Sequence, residues 1–135
     1  MQTFLPYPNF LESAKCLDYK RLGKQRVEAM QLLNGLLDKT KNGWRNHPCS
    51  RMWAGYRDAL GFYMNCMIKE WIFRGYNNTM KLYELSQYQD IKYPHWLGYN
   101  ILHSSHRSNL LRKDPAYYSK FDWLEPDNLP YFWPS

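Results

Sequence analysis

Between Trp53 and Trp71 the apolar residues Trp53, Tyr56, Leu60, Tyr63, Met67 and Trp71 step by three or four, a spacing that no strand can gather on one face. The stripe predicts a long helix with a broad aromatic face turned into a core, the ordinary signature of a bundle helix rather than of a base-stacking platform. It is read as starting after Asn46-His47-Pro48, where Asn46 can act as the cap, and as stopping at Arg74-Gly75. A cation suits the negative end of a helix, and glycine is free to take positive φ there.

Other segments follow the same logic. Pro6 and Pro8 hold the first residues extended, and Asn9 can cap a helix that continues to Leu37. Along it Leu22, Ala29, Met30, Leu33 and Leu37 recur on one side, with Lys20, Lys24 and Gln31 on the other; Gly23 is a candidate break, and Lys39-Thr40-Lys41-Asn42-Gly43 closes the helix in a polar loop. Residues 77–100 are less regular, with one short helix expected near Met80–Leu85. A third main helix is expected over Ile101–Lys113, ending at Asp114-Pro115. Pro126, Pro130 and Pro134 then exclude a regular helix or central strand, so the aromatic tail should wrap the body as irregular chain. The 135 residues, 44% hydrophobic and 18% aromatic, suffice for one core. The expected fold is all-α: a single-domain bundle of about three main helices, residues 1–135, with an irregular proline-rich C-terminal tail.

The net charge of +6 favours an anionic partner. The excess is local: Lys15–Glu28 carries five basic and two acidic residues, whereas the last fifteen residues carry three acidic and none basic. No apolar run approaches the roughly 20 residues of a membrane span, and Met1-Gln2-Thr3-Phe4 does not read as a leader, so an intracellular, cytoplasmic protein is expected. Cys16, Cys49 and Cys66 are odd in number and unpaired in spacing, which indicates neither a disulfide framework nor a zinc knuckle. Gly-rich phosphate loops, nucleophile elbows and H-E-x-x-H motifs are lacking, so the common hydrolase mechanisms lose support.

Three constellations can carry chemistry. In the first, Lys20, Arg21, Lys24 and Arg26 form a row of cations able to neutralise successive phosphates, or else a solvated helix face on which Glu28 pairs with Lys24. In the second, His103, His106, Arg107, Arg112 and Lys113 lie on the third helix; two histidines at i and i+3 can hold a metal, but no nearby acid or thiol completes a shell, and neither a metal nor a cofactor is expected. Hydrogen bonding to DNA or to the core is the remaining choice for them. In the third, Trp44, Arg45 and His47 flank a loop that can stack on a base or enter a groove, or simply staple the loop down.

Taken in order, four segments resemble the pyrimidine-dimer DNA glycosylase and AP lyase family of the phage endonuclease V type. Leu11-Glu12-Ser13-Ala14-Lys15 is similar to that family's first-helix entry, and Gly43-Trp44-Arg45-Asn46-His47-Pro48 to the K-G-Y-R-N-H-P stretch of its short bacterial members. Arg74-Gly75-Tyr76-Asn77 resembles the R-G-F-N end of the family's middle helix, and Leu110 to Tyr118 its late L-x-x-R-x-P-x-x-Y segment. The likeness extends over roughly the first 120 residues.

The resemblance implies an endonuclease V-like helical fold. It also implies a free N-terminal amine that attacks the sugar C1′, forming a Schiff base that permits β-elimination, and a first-helix carboxylate that stabilises the sugar cation. Two positions depart from it. Gln25 stands where the family has its catalytic Glu, leaving Gln25 or Glu28, one turn on, to act at the sugar. Gln2 is too large for efficient removal of the initiator, so the amine belongs to Met1. The resulting expectation is a monomeric enzyme that removes a damaged or modified pyrimidine from double-stranded DNA. Lys20, Arg21, Lys24, Arg26, Arg45, His47, His103, His106 and Arg107 would bind DNA, Arg112 and Lys113 would hold the downstream strand, and Trp44, Tyr117 and Tyr118 would stack. Two rival readings are a DNA-binding module without chemistry, favoured by Gln25, and an enzyme in which His47, His103 or His106 replaces the missing carboxylate.

Overall fold

Asn9 opens the first helix as expected, its side chain accepting the Glu12 N–H at 2.9 Å. The computed structural model describes residues 1–37, 47–85 and 90–134, and within them six α-helices follow in order: α1 (Phe10–Cys16), α2 (Tyr19–Leu37), α3 (Pro48–Trp53), α4 (Arg57–Phe73), α5 (Asn100–Lys113) and α6 (Pro115–Tyr118). A 3₁₀ turn, Ser119–Phe121, extends α6. The described residues contain no strand, so the fold is all-α, as the periodicity predicts.

Two expected long helices are each divided. Leu17 is extended and closes α1; Asp18 then restarts the helix, its carboxylate accepting the Arg21 N–H and pairing with the Arg21 guanidinium at 3.1 Å. Gly23 is not the break. It lies inside α2, where a Cβ would come within 3.0 Å of the Trp71 ring, so its missing side chain permits close packing of α2 against α4. The aromatic stripe is split at Gly55, whose φ of +86° turns the chain between α3 and α4. Trp53, Leu60, Tyr63 and Met67 nevertheless reach one core, in which Trp53 packs edge-on against Trp96 and Phe10 against Tyr63. Arg74 and Gly75, φ +92°, end α4 where the sequence predicts. Residues 80–85 are irregular rather than helical, and Asn65 on α4 takes both the N–H and the C=O of Tyr83.

The first six residues run extended through the interior, and side chains satisfy their backbone. Phe4 N–H donates to Gln25 Oε1 (2.9 Å), and Tyr63 O–H donates to Phe4 C=O (2.9 Å). Leu5 is gripped from α5: its N–H donates to His106 Nδ1 at 2.8 Å, and its C=O accepts from His103 Nδ1 at 2.7 Å. Buried backbone must find partners, and without a sheet these polar side chains supply them. The opposite side of α5 holds the tail in the same way, Ser105 taking Phe132 N–H, and Ser108 and Asn109 bonding Leu129. No helix among the described residues is long and apolar enough to cross a membrane.

Candidate active site

Where the extended N-terminus meets α2 there is a cleft of about 390 Å³, lined by Met1, Gln2, Phe4, Lys20, Arg21, Lys24, Gln25, Glu28, Lys113 and Tyr131. It gathers seven of the residues singled out from the sequence: Met1, Lys20, Arg21, Lys24, Gln25, Glu28 and Lys113. Helical spacing explains part of this. Lys20, Lys24 and Glu28 are four apart on α2 and present one ridge, while Arg21, Gln25 and Glu28 form the adjoining row. The N-terminal residue is brought there by the bonds that hold Phe4 and Leu5.

Gln25 is 2% exposed and fully engaged. Its Oε1 accepts from Phe4 N–H and shares the single Tyr63 hydroxyl proton, at 2.7 Å, with Phe4 C=O, which leaves Nε2 to donate to Glu28 Oε2 at 3.1 Å. Gln2 N–H makes a longer bond, 3.4 Å, to the same Glu28 oxygen. Both protein donors therefore converge on Oε2, and Oε1 is the oxygen they leave unengaged. Glu28 is half-buried and lines the cleft beside Met1. The single negative charge in the first turns beyond Asp18 is thus at Glu28, with Gln25 as its neutral hydrogen-bond donor. Burial drives the Tyr63 hydroxyl well above its usual range, so Tyr63 acts here as a donor.

His47 is half-buried and caps α3, its Nδ1 accepting Cys49 N–H at 3.0 Å. Burial holds its pKa below the ordinary value; the positive N-terminus lowers it further and the Glu28 charge opposes both. His47 is therefore within electrostatic range of the amine and of Glu28.

Several expected contacts lie elsewhere. His106 is fully buried, its Nδ1 used by Leu5, and His103 is 2% exposed, with Nδ1 on Leu5 C=O and Nε2 accepting Gly98 N–H. Both are thus corrected from DNA contacts to supports of the N-terminal segment. Arg107 is turned inward as well: it donates to Pro6 C=O and pairs with Glu125 at 2.8 Å. Arg26 lies with its guanidinium 4.2 Å from the Trp71 ring and donates to Asn78 Oδ1. Tyr118 is corrected from a stacking residue to a core residue: it is fully buried, and its hydroxyl bonds Asp18. Burial would raise the Asp18 carboxyl, but the Tyr118 and Arg21 hydrogen bonds outweigh it and hold the acid below its usual range. Tyr117 is half-buried with the Lys120 ammonium 3.8 Å from its ring, and it does not line the cleft. Arg112 is exposed at the end of α5 and does not line the cleft. Trp44 and Arg45 lie outside the described residues, and the cap of α3 is His47 rather than the expected Asn46. Phe4, Gln2 and Tyr131 were missed as cleft residues, and Tyr63 as a support of Gln25. Nothing local distinguishes Tyr63 from its neighbours in the aromatic stripe.

Residues 1–84, more than half of the chain's 135, match the family described as pyrimidine dimer DNA glycosylase. The chain belongs to that family. No curated protein and no solved structure matches it. The matched segment holds Met1, Gln25 and Glu28, and Tyr63, which bonds Gln25, but not the α5 histidines that grip Leu5. It ends before α5, so the late segment Leu110–Tyr118 lies outside it. For a pyrimidine dimer DNA glycosylase the substrate is DNA, and the cations Lys20, Arg21, Lys24 and Lys113 surround the cleft with the matching charge.

Proposed function

We propose that this protein excises a damaged or modified pyrimidine from duplex DNA, with the α-amine of Met1 as nucleophile and Glu28 as the carboxylate at the sugar. The observation that carries the reading is the pair of donors, Gln25 Nε2 and Gln2 N, which fix Glu28 Oε2 in the cleft that Met1 lines. A positioned carboxylate is what the chemistry lacks if Gln25 alone is considered.

The neutral amine forms the N–C1′ bond as the C1′–N1 bond breaks, its electron pair leaving with the base, which is then protonated by water. Glu28 accepts the amine proton and returns it to O4′, opening the sugar to a protonated imine. Removal of a C2′ proton then expels the 3′ phosphate, and hydrolysis of the imine frees the enzyme. Before these steps, negative charge at Glu28 favours the cationic sugar, and the surrounding lysines and arginine hold the phosphates. Occupied, buried histidines weigh against the reading in which His103 or His106 replaces the carboxylate.

The test is borohydride trapping on duplexes carrying a cyclobutane dimer, an abasic site or a modified pyrimidine, with the adduct located by mass. An adduct on Met1 is expected. Glu28→Gln should lower base release by about 10²–10⁴-fold while leaving duplex affinity intact. Absence of both adduct and base release on every substrate overturns the reading; duplex binding alone would then select a module without chemistry.

A further inference from the structure

Of the four buried side-chain polar atoms without a hydrogen-bond partner among the described residues, Gln2 Nε2, Arg26 Nε, Ser50 Oγ and His106 Nε2, only the first belongs to a residue that lines the cleft of the amine. Gln2 is 5% exposed. Its Oε1 accepts Thr3 N–H at 2.9 Å, which fixes the orientation of the amide: turned over, the amide would set its NH2 group against that N–H. An oriented donor is therefore held in reserve one residue from Met1. A buried amide without a partner is destabilising, and native proteins retain such groups where something else pairs with them.

We infer that Gln2 Nε2 donates to the C2 carbonyl oxygen of the pyrimidine being released and stabilises the negative charge that gathers there. The inference rests on the function proposed above. As the C1′–N1 bond breaks, its electron pair spreads over N1 and O2 of the base. O2 is three bonds from C1′, so a donor adjacent to the attacking amine meets it before any acceptor across the ring. Donors aimed at charge that develops only in the transition state are the productive kind. Nε2 is screened from water in the free protein. Contact requires a neighbouring side chain to yield, and the unbranched, half-buried Met1, which lines the same cleft, is suited to that. The contact also defines a substrate class. Every pyrimidine carries O2, and saturation or substitution at C5 and C6 leaves it in place, so recognition through Gln2 accepts lesions on the far edge of the ring.

An abasic site has no base to release, and this separates a leaving-group contact from a general structural role. Single-turnover base release from a duplex with a cyclobutane thymine dimer is compared with borohydride trapping on a preformed abasic site, for the unmodified protein, Gln2→Met and Gln2→Glu. Both replacements are bulky enough to retain Met1, which mass measurement checks. Gln2→Glu also keeps the oxygen that Thr3 N–H requires while exchanging the donor for an acceptor. Base release should fall by about 10²-fold in Gln2→Met and further in Gln2→Glu. In Gln2→Met, trapping on the abasic site should stay within about twofold of the unmodified protein, because the Gln2 N–H that bonds Glu28 is backbone and is retained. An equal loss on both substrates, or undiminished base release, overturns the role of Gln2 and leaves the proposed function standing. If the unmodified protein neither releases base nor forms an adduct, the proposed function fails and this inference falls with it.

Discussion

The amide of Gln25 donates to the carboxylate of Glu28 across 3.1 Å, one turn apart on α2, while the other end of the same amide receives Phe4 N–H and the Tyr63 hydroxyl. An amide can do this because it accepts at one atom and donates at the other. A carboxylate can only accept unless it is protonated. The neutral residue at position 25 is thus the donor to the acid one turn on.

Gln25→Glu therefore should not improve the site. It sets two carboxyl groups at hydrogen-bond distance, where they share one proton and titrate as a pair, one of them well above the usual range. Base release at neutral pH is expected to fall about tenfold or more, with the acid limb of the pH–rate profile moved upward. A profile and rate matching the unmodified protein would remove Gln25 from its role at Glu28.

DNA affinity should depend on the cleft cations and not on the inward-turned arginine. Each phosphate contact contributes about 0.9 to the slope of log K against log salt. Lys24→Gln and Lys113→Gln are each expected to lower that slope by about 0.9, measured by anisotropy on a duplex at several salt concentrations. Arg107→Gln should leave the slope unchanged and lower the melting temperature instead, since Arg107 holds Pro6 C=O and Glu125. A reduced slope for Arg107→Gln would return that residue to the interface.

What could be read in advance divides along physical lines. Periodicity located the helical segments, and the cap and stop at Asn9 and Arg74-Gly75 were local signals that the structure bears out. The turn at Asp18 also had a local signal, a capping residue, but the unbroken run of charges hid it. The roles of His103, His106 and Arg107 were not legible. Their partners are backbone atoms of Leu5 and Pro6, about a hundred positions away, and an interior that threads an extended segment needs polar side chains that look like surface residues in sequence. The cleft was half legible: α2 spacing gathers Lys20, Lys24, Gln25 and Glu28, but only the tertiary fold adds Gln2, Lys113 and Tyr131.

The same buried histidines set a pH dependence. Burial, aided by the neighbouring His103, pushes the His106 pKa from 6.5 down to about 3, and burial lowers that of His103 too. Between those values the unfolded chain binds more protons than the folded protein. The His106 contribution to stability is therefore in full above about pH 6.5 and is lost as the pH falls toward 3, by about 1.4 kcal/mol per unit, and His103 acts in the same direction. His106→Asn keeps an acceptor for Leu5 N–H without a titrating ring, so urea midpoints measured from pH 7 to 4 should fall less steeply in the variant. Parallel curves for the two proteins would exclude His106 as a source of the acid sensitivity.

Gly61 offers a test of the packing beside α4, away from the cleft. A helical glycine replaced by alanine ordinarily gains about 1 kcal/mol from propensity alone. At Gly61, however, the added Cβ would stand 2.1 Å from Cδ1 of Tyr83. The ring cannot simply rotate aside. Tyr83 N–H donates to Asn65 Oδ1 at 2.7 Å, its C=O accepts from Asn65 Nδ2 at 2.9 Å, and its hydroxyl donates to Asp58 Oδ1 at 2.7 Å. Relief of the overlap must break some of these bonds, and overpacking of this kind costs about 1–3 kcal/mol. Gly61→Ala is thus expected to lower the melting temperature by several degrees, with duplex affinity and its salt slope unaltered because neither residue lines the cleft. A melting temperature at or above that of the unmodified protein would mean that residues near Tyr83 do not pack against α4 in this way, and that helix propensity governs the site.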